Sequence, residues 1–120
     1  MTVRELIGQN LAEVVNAGEE LDRKITKVFC CDLLSIAMGR APAGCVWVTV
    51  MANINTLAVA SLADAACIVL AEGARLDENA AKKAEDQGIT VLASERPIFD
   101  LALSVHDLLM KEEREKEGKP

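Results

Sequence analysis

The clearest pattern along the chain is a set of three short, continuous apolar runs. They are VWVTV at 46–50, CIVL at 67–70 and ITVL at 89–92. Runs of this length that are rich in β-branched side chains are typical of strands buried on both faces of a sheet. The pattern therefore predicts three core strands from the middle of the chain onward.

Each of these strands is followed by a segment with apolar residues at helical spacing. One helix is predicted to begin at 53–55, and another runs from the N-cap Asp77 to Gln87, where Gly88 ends it. Pro97 stands in the first turn of a last helix, because a missing N–H costs nothing at that position. The apolar stripe of this last helix consists of Ile98, Leu101, Val105 and Leu108.

The N-terminal part of the chain gives weaker signals of the same kind. Thr2 and Glu5 form a capping box that opens a short helix. Strands are predicted at 11–16 and, with Ile25, Val28 and Phe29, at 25–30. Asp32 is predicted as the N-cap of a further helix.

Strands that alternate with helices of about ten residues indicate successive βαβ units, whose crossovers are right-handed in about 98% of cases. We predict an α/β fold: a mainly parallel sheet built from these units, with helices on both faces. The direction of the first strands is left open. The 120 residues fit one domain. That domain is expected to span 1–110, followed by a charged, frayed or disordered tail at 111–120.

Charge and composition narrow the range of partners. The formal net charge is −6, which argues against nucleic acid because phosphate binding needs clustered Lys and Arg. No apolar run approaches the ~20 residues that a membrane-spanning helix requires, and no apolar signal segment follows Met1. We therefore expect no membrane association and a cytoplasmic location.

Several kinds of chemistry are not indicated by the sequence. The chain contains no phosphate-binding loop, dinucleotide fingerprint or nucleophile elbow. His106 is the only histidine, and its position just off an apolar stripe predicts a partly solvated side chain. No metal-ligand spacing occurs. We expect no catalytic residue, no metal and no cofactor. The four cysteines are expected to be reduced and mostly buried, with a redox role for Cys31 left open; they are Cys30, Cys31, Cys45 and Cys67.

One candidate site remains, at the carboxyl ends of the predicted strands, where open parallel sheets bind ligands. Asn53 and Asn55 follow one strand, and Glu72 and Gly73 follow the next. Exposed N–H groups at a helix start favour an anion, so a small anionic ligand such as a nucleotide is expected. The alternative is that the asparagines are only loop and cap residues.

Six short motifs occur in an order and spacing that resemble one known family. They are GEELDR at 18–23, CDLLS at 31–35, WVTV at 47–50, NxxAVA at 55–60, EGxxxDE at 72–78 and KAExxGI at 83–89. From about residue 11 to 109, the chain resembles the stand-alone DRTGG-domain family. That family is similar to the N-terminal domain of the bacterial histidine-phosphocarrier-protein kinase/phosphorylase. Two features depart from the pattern: the Asp-Arg-Thr-Gly-Gly string is absent, and Met51, Ala52 and Asn53 replace a frequent Gln-Thr-His run.

The resemblance implies a regulatory or ligand-sensing α/β domain without a catalytic centre, because the kinase's phosphate loop belongs to its other domain. Related domains occur beside CBS domains and in long phosphotransacetylases. Stand-alone members accompany iron-only hydrogenase and related redox genes in anaerobes, which implies an accessory role beside a redox enzyme. The matching positions add Asp32 to Asn55, Glu72 and Gly73 as candidate ligand or interface residues.

The leading hypothesis is therefore a non-enzymatic regulatory or ligand-sensing module, accessory to hydrogenase-linked redox metabolism. The alternative is a protein–protein adaptor without a small ligand. An enzyme acting through Cys31 and Asp32 has the least support, because no oriented base or metal set accompanies them. A homodimer is expected, since 108–110 extend the last apolar stripe beyond the reach of short strands. The alternative is that Leu6 and Ile7 cover this patch within one chain.

Overall fold

The structure is a computed structural model that describes residues 1–118. Helices and strands alternate along those residues. The strands are β1 (Glu13–Asn16), β2 (Lys27–Cys30), β3 (Cys45–Thr49), β4 (Cys67–Leu70) and β5 (Val91–Ala93). The helices are α1 (Val3–Gly8), α2 (Leu34–Arg40), α3 (Ile54–Ala63), α4 (Glu78–Gln87) and α5 (Ile98–Glu117). None of these helices is long and apolar enough to cross a membrane.

The five strands form one sheet in the order β1-β5-β4-β3-β2. All neighbouring pairs are parallel except β1 with β5. The crossovers from β2 to β5 all step in the same direction, so right-handed connections place α2, α3 and α4 on one face. Helices α1 and α5 pack on the other face. The predicted fold class is confirmed: the sheet is mainly parallel, helices lie on both faces, and the one antiparallel pair involves the first strand.

The two faces of the sheet have different cores because alternate strand residues point to opposite sides. Trp47 points toward α2, α3 and α4, and small residues on these helices let them approach the strands closely. Val46 and Val48 point toward α1 and α5, where larger aliphatic side chains fill the space. The small residues are Ala37, Ala60, Ala80 and Ala84, and the larger ones include Val3, Leu6, Leu101 and Val105.

Most of the predicted helix signals are confirmed. Thr2 and Glu5 form the capping box of α1. Asn53 and Asp77 accept backbone N–H bonds at the starts of α3 and α4. Gly88 ends α4 at a φ of 66°, and a side chain there would lie 2.8 Å from Cγ of Glu19, so both backbone and space favour glycine.

The structure corrects the prediction that Asp32 caps α2. Leu33 occupies the N-cap position without a side-chain bond. Asp32 cannot serve there because its carboxylate is bonded to the end of β3. The strand predicted at 89–92 is also shifted, since β5 begins at Val91 and Ile89 and Thr90 belong to the connection after α4.

The C-terminal helix is longer than its apolar stripe suggested. It continues through Glu117, so 111–117 are helical, and the rest of the expected tail, Lys119 and Pro120, lies outside the described residues. Leu109 is buried, and Met110 packs together with Met1 and Ile7 against the same core. The N-terminal segment therefore packs against the same core as this patch within one chain, and self-association stays a prediction.

Candidate functional site

All five predicted site residues lie at the carboxyl edge of the parallel sheet. Asp32 follows β2, Asn53 and Asn55 stand at the start of α3 after β3, and Glu72 and Gly73 follow β4. This edge has two halves, which we call the β2–β3 half and the β4–β5 half. The sequence predicted this position at the carboxyl ends of the strands. The hydrogen-bond partners of the residues differ between the two halves.

In the β2–β3 half, Asp32 connects the ends of two neighbouring strands. Its Oδ1 accepts a 2.6 Å bond from the hydroxyl of Thr49 and a 3.0 Å bond from the backbone N–H of Val50. Thr49 is fully buried, and its hydroxyl also accepts from the N–H of Met51. The carboxylate therefore satisfies a buried donor and holds the loop after β3 against β2.

An aromatic contact and two hydrogen bonds also hold the β2–β3 half together. The indole N–H of Trp47 donates to the carbonyl of Cys31 at 2.9 Å. The Phe29 and Trp47 rings lie 6.4 Å apart at 58°, within the range of favourable tilted pairs. The thiol of Cys31 donates to the carbonyl of Leu33 at 3.3 Å. These bonds fix the connection from β2 to α2 and give Cys31 a structural partner.

At the start of α3, the two asparagines differ. Oδ1 of Asn53 accepts from the backbone N–H of Thr56 at 3.1 Å, so this side chain occupies the position where an anion would bind. Asn55 is exposed in the first turn, and no hydrogen bond of its side chain occurs within residues 1–118. The cap interpretation therefore explains Asn53 and leaves Asn55 available at the surface.

In the β4–β5 half, Glu72 and Gly73 form a tight turn. Both have positive φ values, 59° and 77°, and the N–H of Ala74 donates to the carbonyl of Ala71 across the turn. The carboxylate of Glu72 accepts a 2.8 Å bond from the N–H of Ile98, at the start of α5. A helix start attracts an acidic side chain, and α5 has no side-chain bond from its own N-cap, Pro97.

The crevice between the ends of β4 and β5 is closed by backbone bonds. In open α/β sheets, a ligand site forms where neighbouring connections leave for opposite faces, as α4 and α5 do here. The N–H of Glu72 donates to the carbonyl of Arg96, and that of Gly73 to the carbonyl of Ser94, both at 3.0 Å. The chain itself thus occupies the position in which such a fold commonly holds a ligand.

These observations give the predicted residues separate partners. Within residues 1–118, no hydrogen bond joins Asp32, Asn53 or Glu72 to one another. Asp32 belongs to the β2–β3 half, and Glu72 to the β4–β5 half and α5. A ligand shared by all of them stays a prediction.

Apolar side chains surround the β2–β3 half at the surface. Leu33 is 55% exposed and Ile36 46% exposed at the start of α2. Val50 and Ile54 are 37% and 44% exposed, after β3 and at the start of α3. The bond from Val50 to Asp32 brings the two groups of apolar residues to the same edge. Large apolar side chains grouped at a surface mark interaction sites.

Beside the β4–β5 half lies an open cavity of about 610 Å³. Arg75, Ser94 and Arg96 line it together with Glu13 and Glu95. Arg75 pairs with Glu13 at 3.3 Å, while Arg96 donates to the hydroxyl of Ser104 at 2.9 Å. Sequence reasoning did not select the two arginines, although each follows the end of a core strand by a few residues.

A second cavity, of about 250 Å³, lies at the opposite edge of the sheet. Arg23 crosses it to form two 2.8 Å bonds with Asp64, whose pKa this guanidinium holds below its ordinary value. Glu19 and Glu20 complete the polar lining. Arg23 already neutralises part of the acidic lining, so we assign the Arg23–Asp64 ion pair in this cavity a structural role.

The prediction that all four cysteines are mostly buried holds for only two of them. All four are free, but only Cys45 and Cys67 are buried, whereas Cys31 is half-buried and Cys30 is exposed. Burial raises the pKa of the Cys45 thiol to about 11 and that of Cys67 to about 12. The expectation fails for Cys30 because it ends an edge strand whose outer side is open. No cluster of three or more metal-ligating side chains occurs within residues 1–118.

No protein-family model matches the chain, and no curated protein matches it at a significant level of similarity. The resemblance to the stand-alone DRTGG-domain family therefore stays a prediction from the six motifs.

Proposed function

We propose that this chain is a non-enzymatic regulatory module that acts by contacting another protein through the β2–β3 half of its carboxyl edge. One observation carries the proposal: Asp32 and Asn53 at this half are bonded to the chain itself, whereas four large apolar side chains are exposed, those of Leu33, Ile36, Val50 and Ile54. An edge with satisfied polar groups and exposed apolar groups suits a protein partner better than a small polar ligand.

The motif resemblance indicates the class of protein to which the partner belongs. If the chain is a stand-alone DRTGG domain, the partner is a redox enzyme of anaerobic metabolism, and the module works in the cytoplasm. Self-association belongs to the same proposal, because two-fold dimers are the commonest closed assemblies of soluble proteins.

The test compares charged substitutions inside and outside the apolar edge. Leu33→Asp and Ile54→Asp alter exposed side chains and should leave the melting temperature nearly unchanged. Leu62→Asp is the matched control, because Leu62 is 76% exposed two turns further along α3. In pull-downs from cells that express the native protein, a partner should be retained by wild type and Leu62→Asp and lost with the other two. Equal retention by all four chains would contradict the proposal.

Ligand sensing is a second candidate function, favoured by the 610 Å³ cavity beside the β4–β5 half. Its volume lies within the ~300–1,000 Å³ typical of small-molecule sites, and Arg75 and Arg96 suit an anion. A thermal-shift panel of nucleotides and acyl phosphates tests it, since a ligand at 100 times its Kd adds about 2.7 kcal/mol of stability. Arg75→Ala should abolish such a shift, and Arg40→Ala, on the exposed end of α2, should not.

A further inference from the structure

The two outer strands of the sheet differ in how well their free edges are protected. The ladder of β1 with β5 is interrupted by a register shift between Val14 and Asn16, an irregularity of the kind that discourages pairing at an edge. The ladder of β2 with β3 is regular from Lys27 to Cys30. Strand β2 therefore presents the straighter edge.

The direction of the backbone groups shows which ones are free on β2. In β3, the carbonyl of Thr49 accepts from Ala71 on the β4 side, so Val48 faces β2. Val48 is in register with Cys30, and a residue in a parallel ladder bonds to the neighbours of its register partner. The N–H and C=O groups of Cys30, and those of Val28 two residues earlier, therefore point away from the sheet.

The edge just before β2 is already paired by an antiparallel segment. Thr2 and Lys24 form an antiparallel bridge, and the N–H of Ile25 donates to the carbonyl of Met1 at 2.8 Å. The open stretch therefore begins after Ile25 and ends with β2. It consists of Thr26 and the four residues of β2.

The segment that forms this edge is complementary in charge to itself. It reads KVFCCD from Lys27 to Asp32, with a cation at one end and an anion at the other. Two copies placed antiparallel bring each Lys27 next to the partner's acidic end. Lys27 forms no ion pair within residues 1–118, and neither does Glu113, which lines the same groove.

Helix α5 forms a wall along this edge. A groove of about 450 Å³ lies between β2 and the last turns of α5. Val28, Leu109 and Met110 give it apolar lining, and Lys27 and Glu113 give it charge. A strand added to β2 would meet apolar side chains beneath the helix and opposite charge at its rim.

We propose that the open edge of β2 binds β2 of a second copy, antiparallel, so that the two five-stranded sheets join around a two-fold axis. The register that uses every outward group pairs Val28 with Cys30 of the other copy and places the axis between the two Phe29 residues. Pairing β2 with itself closes the assembly, whereas pairing it with β1 would continue without end. The inference deepens the self-association in the proposed function and does not depend on the proposed contact with another protein.

Light scattering on the purified chain gives the first test. Wild type should show a mass about twice the 12.9 kDa of one chain. Cys30→Pro removes an outward N–H without touching the bonds to β3, so it should give a monomer, while Cys30→Ala keeps the N–H and should stay dimeric. Lys27→Glu should weaken dimerisation about tenfold, and Lys82→Glu, an equal charge change on exposed α4, should not.

Disulfide trapping tests the register and does not depend on how well the proline variant folds. In Val28→Cys, each new thiol lies opposite Cys30 of the other copy, at a separation of about 5.5 Å between Cα atoms that a disulfide can span. Mild oxidation should link this variant into covalent dimers. Wild type should not link through Cys30, because the two Cys30 residues are diagonal neighbours about 8 Å apart. A wild-type mass near 12.9 kDa at high concentration, or equal cross-linking of both chains, would overturn the proposal.

Discussion

The two halves of the carboxyl edge each place a carboxylate just after a strand, and they use it in opposite ways. Asp32 accepts from the hydroxyl of a fully buried threonine. Glu72 accepts from the N–H of Ile98 at an exposed helix start. The comparison teaches that the burial of the partner, more than the position of the carboxylate, decides how much such a residue stabilises the fold.

The largest effect is expected for Asp32→Ala. The substitution removes two hydrogen bonds to a charged acceptor and leaves the Thr49 hydroxyl buried without its acceptor, so it should lower the free energy of unfolding by about 3 kcal/mol. Urea denaturation measures this loss. Asp32→Asn, which keeps an acceptor oxygen, serves as the control and should lose about 1 kcal/mol. If Asp32→Ala lost less stability than Asp32→Asn, the proposed difference between the two halves of the edge would be wrong.

A smaller loss is expected for Thr49→Val, about 1–2 kcal/mol, because valine keeps the shape and the exposed Asp32 can turn to water. The double variant should be more stable than the sum of the single losses suggests. A coupling of about 1 kcal/mol in the double-mutant cycle would support the Asp32–Thr49 bond as the source of the effect. Strict additivity would show that the two side chains act independently.

The β4–β5 half can be tested by a pair of variants at Glu72. Both Glu72→Ala and Glu72→Gly remove the bond to Ile98, but only glycine suits a φ of 59°. Glu72→Gly should therefore be about 1 kcal/mol more stable than Glu72→Ala. Thermal unfolding of the two proteins side by side gives the difference. If Glu72→Ala were the more stable variant, the positive φ at this position would not be a source of strain in the β4–β5 half.

The smallest effect concerns Asp64, a reference carboxylate at the opposite edge. Its pKa in the folded chain is lowered by hydrogen bonding to Arg23, so its contribution to stability is present above the ordinary carboxyl pKa and disappears as pH falls through the lowered value. The stability difference between wild type and Asp64→Asn should therefore shrink as the solution is acidified below about pH 4. A difference that is constant with pH would argue against the ion pair.

The fold was readable from the sequence where periodicity and capping agreed. The apolar runs of β3 and β4, the caps Asn53 and Asp77, and the glycine at the end of α4 each gave a local signal, and all are present. The direction of β1 could not be fixed locally, because it depends on pairing with β5, far along the chain. The predicted alternation of strands and helices confined the topology to parallel units.

The site was less accessible to sequence reasoning. Because Asp32 precedes a helix, the sequence predicts that it caps that helix. Only the three-dimensional position of Thr49 shows its actual partner. Glu72 gave no signal that it bonds to Ile98, because nothing local links a turn to a helix that begins after the next strand. Cys30 was expected to be buried because free cysteines commonly are, whereas edge position depends on strand order.

The strand order also determines when each strand can find its partner while the chain is being synthesised. Strands β3, β4 and β5 each pair with the strand made just before, so they can add to β2 one after another while the chain grows. Strand β1 is made first, yet its partner appears about 80 residues later, a delay of several seconds at ~5–20 residues per second. During that interval the exposed Val14 and Val15 have no partner strand, so the N-terminal segment is the first part made and among the last to reach its place.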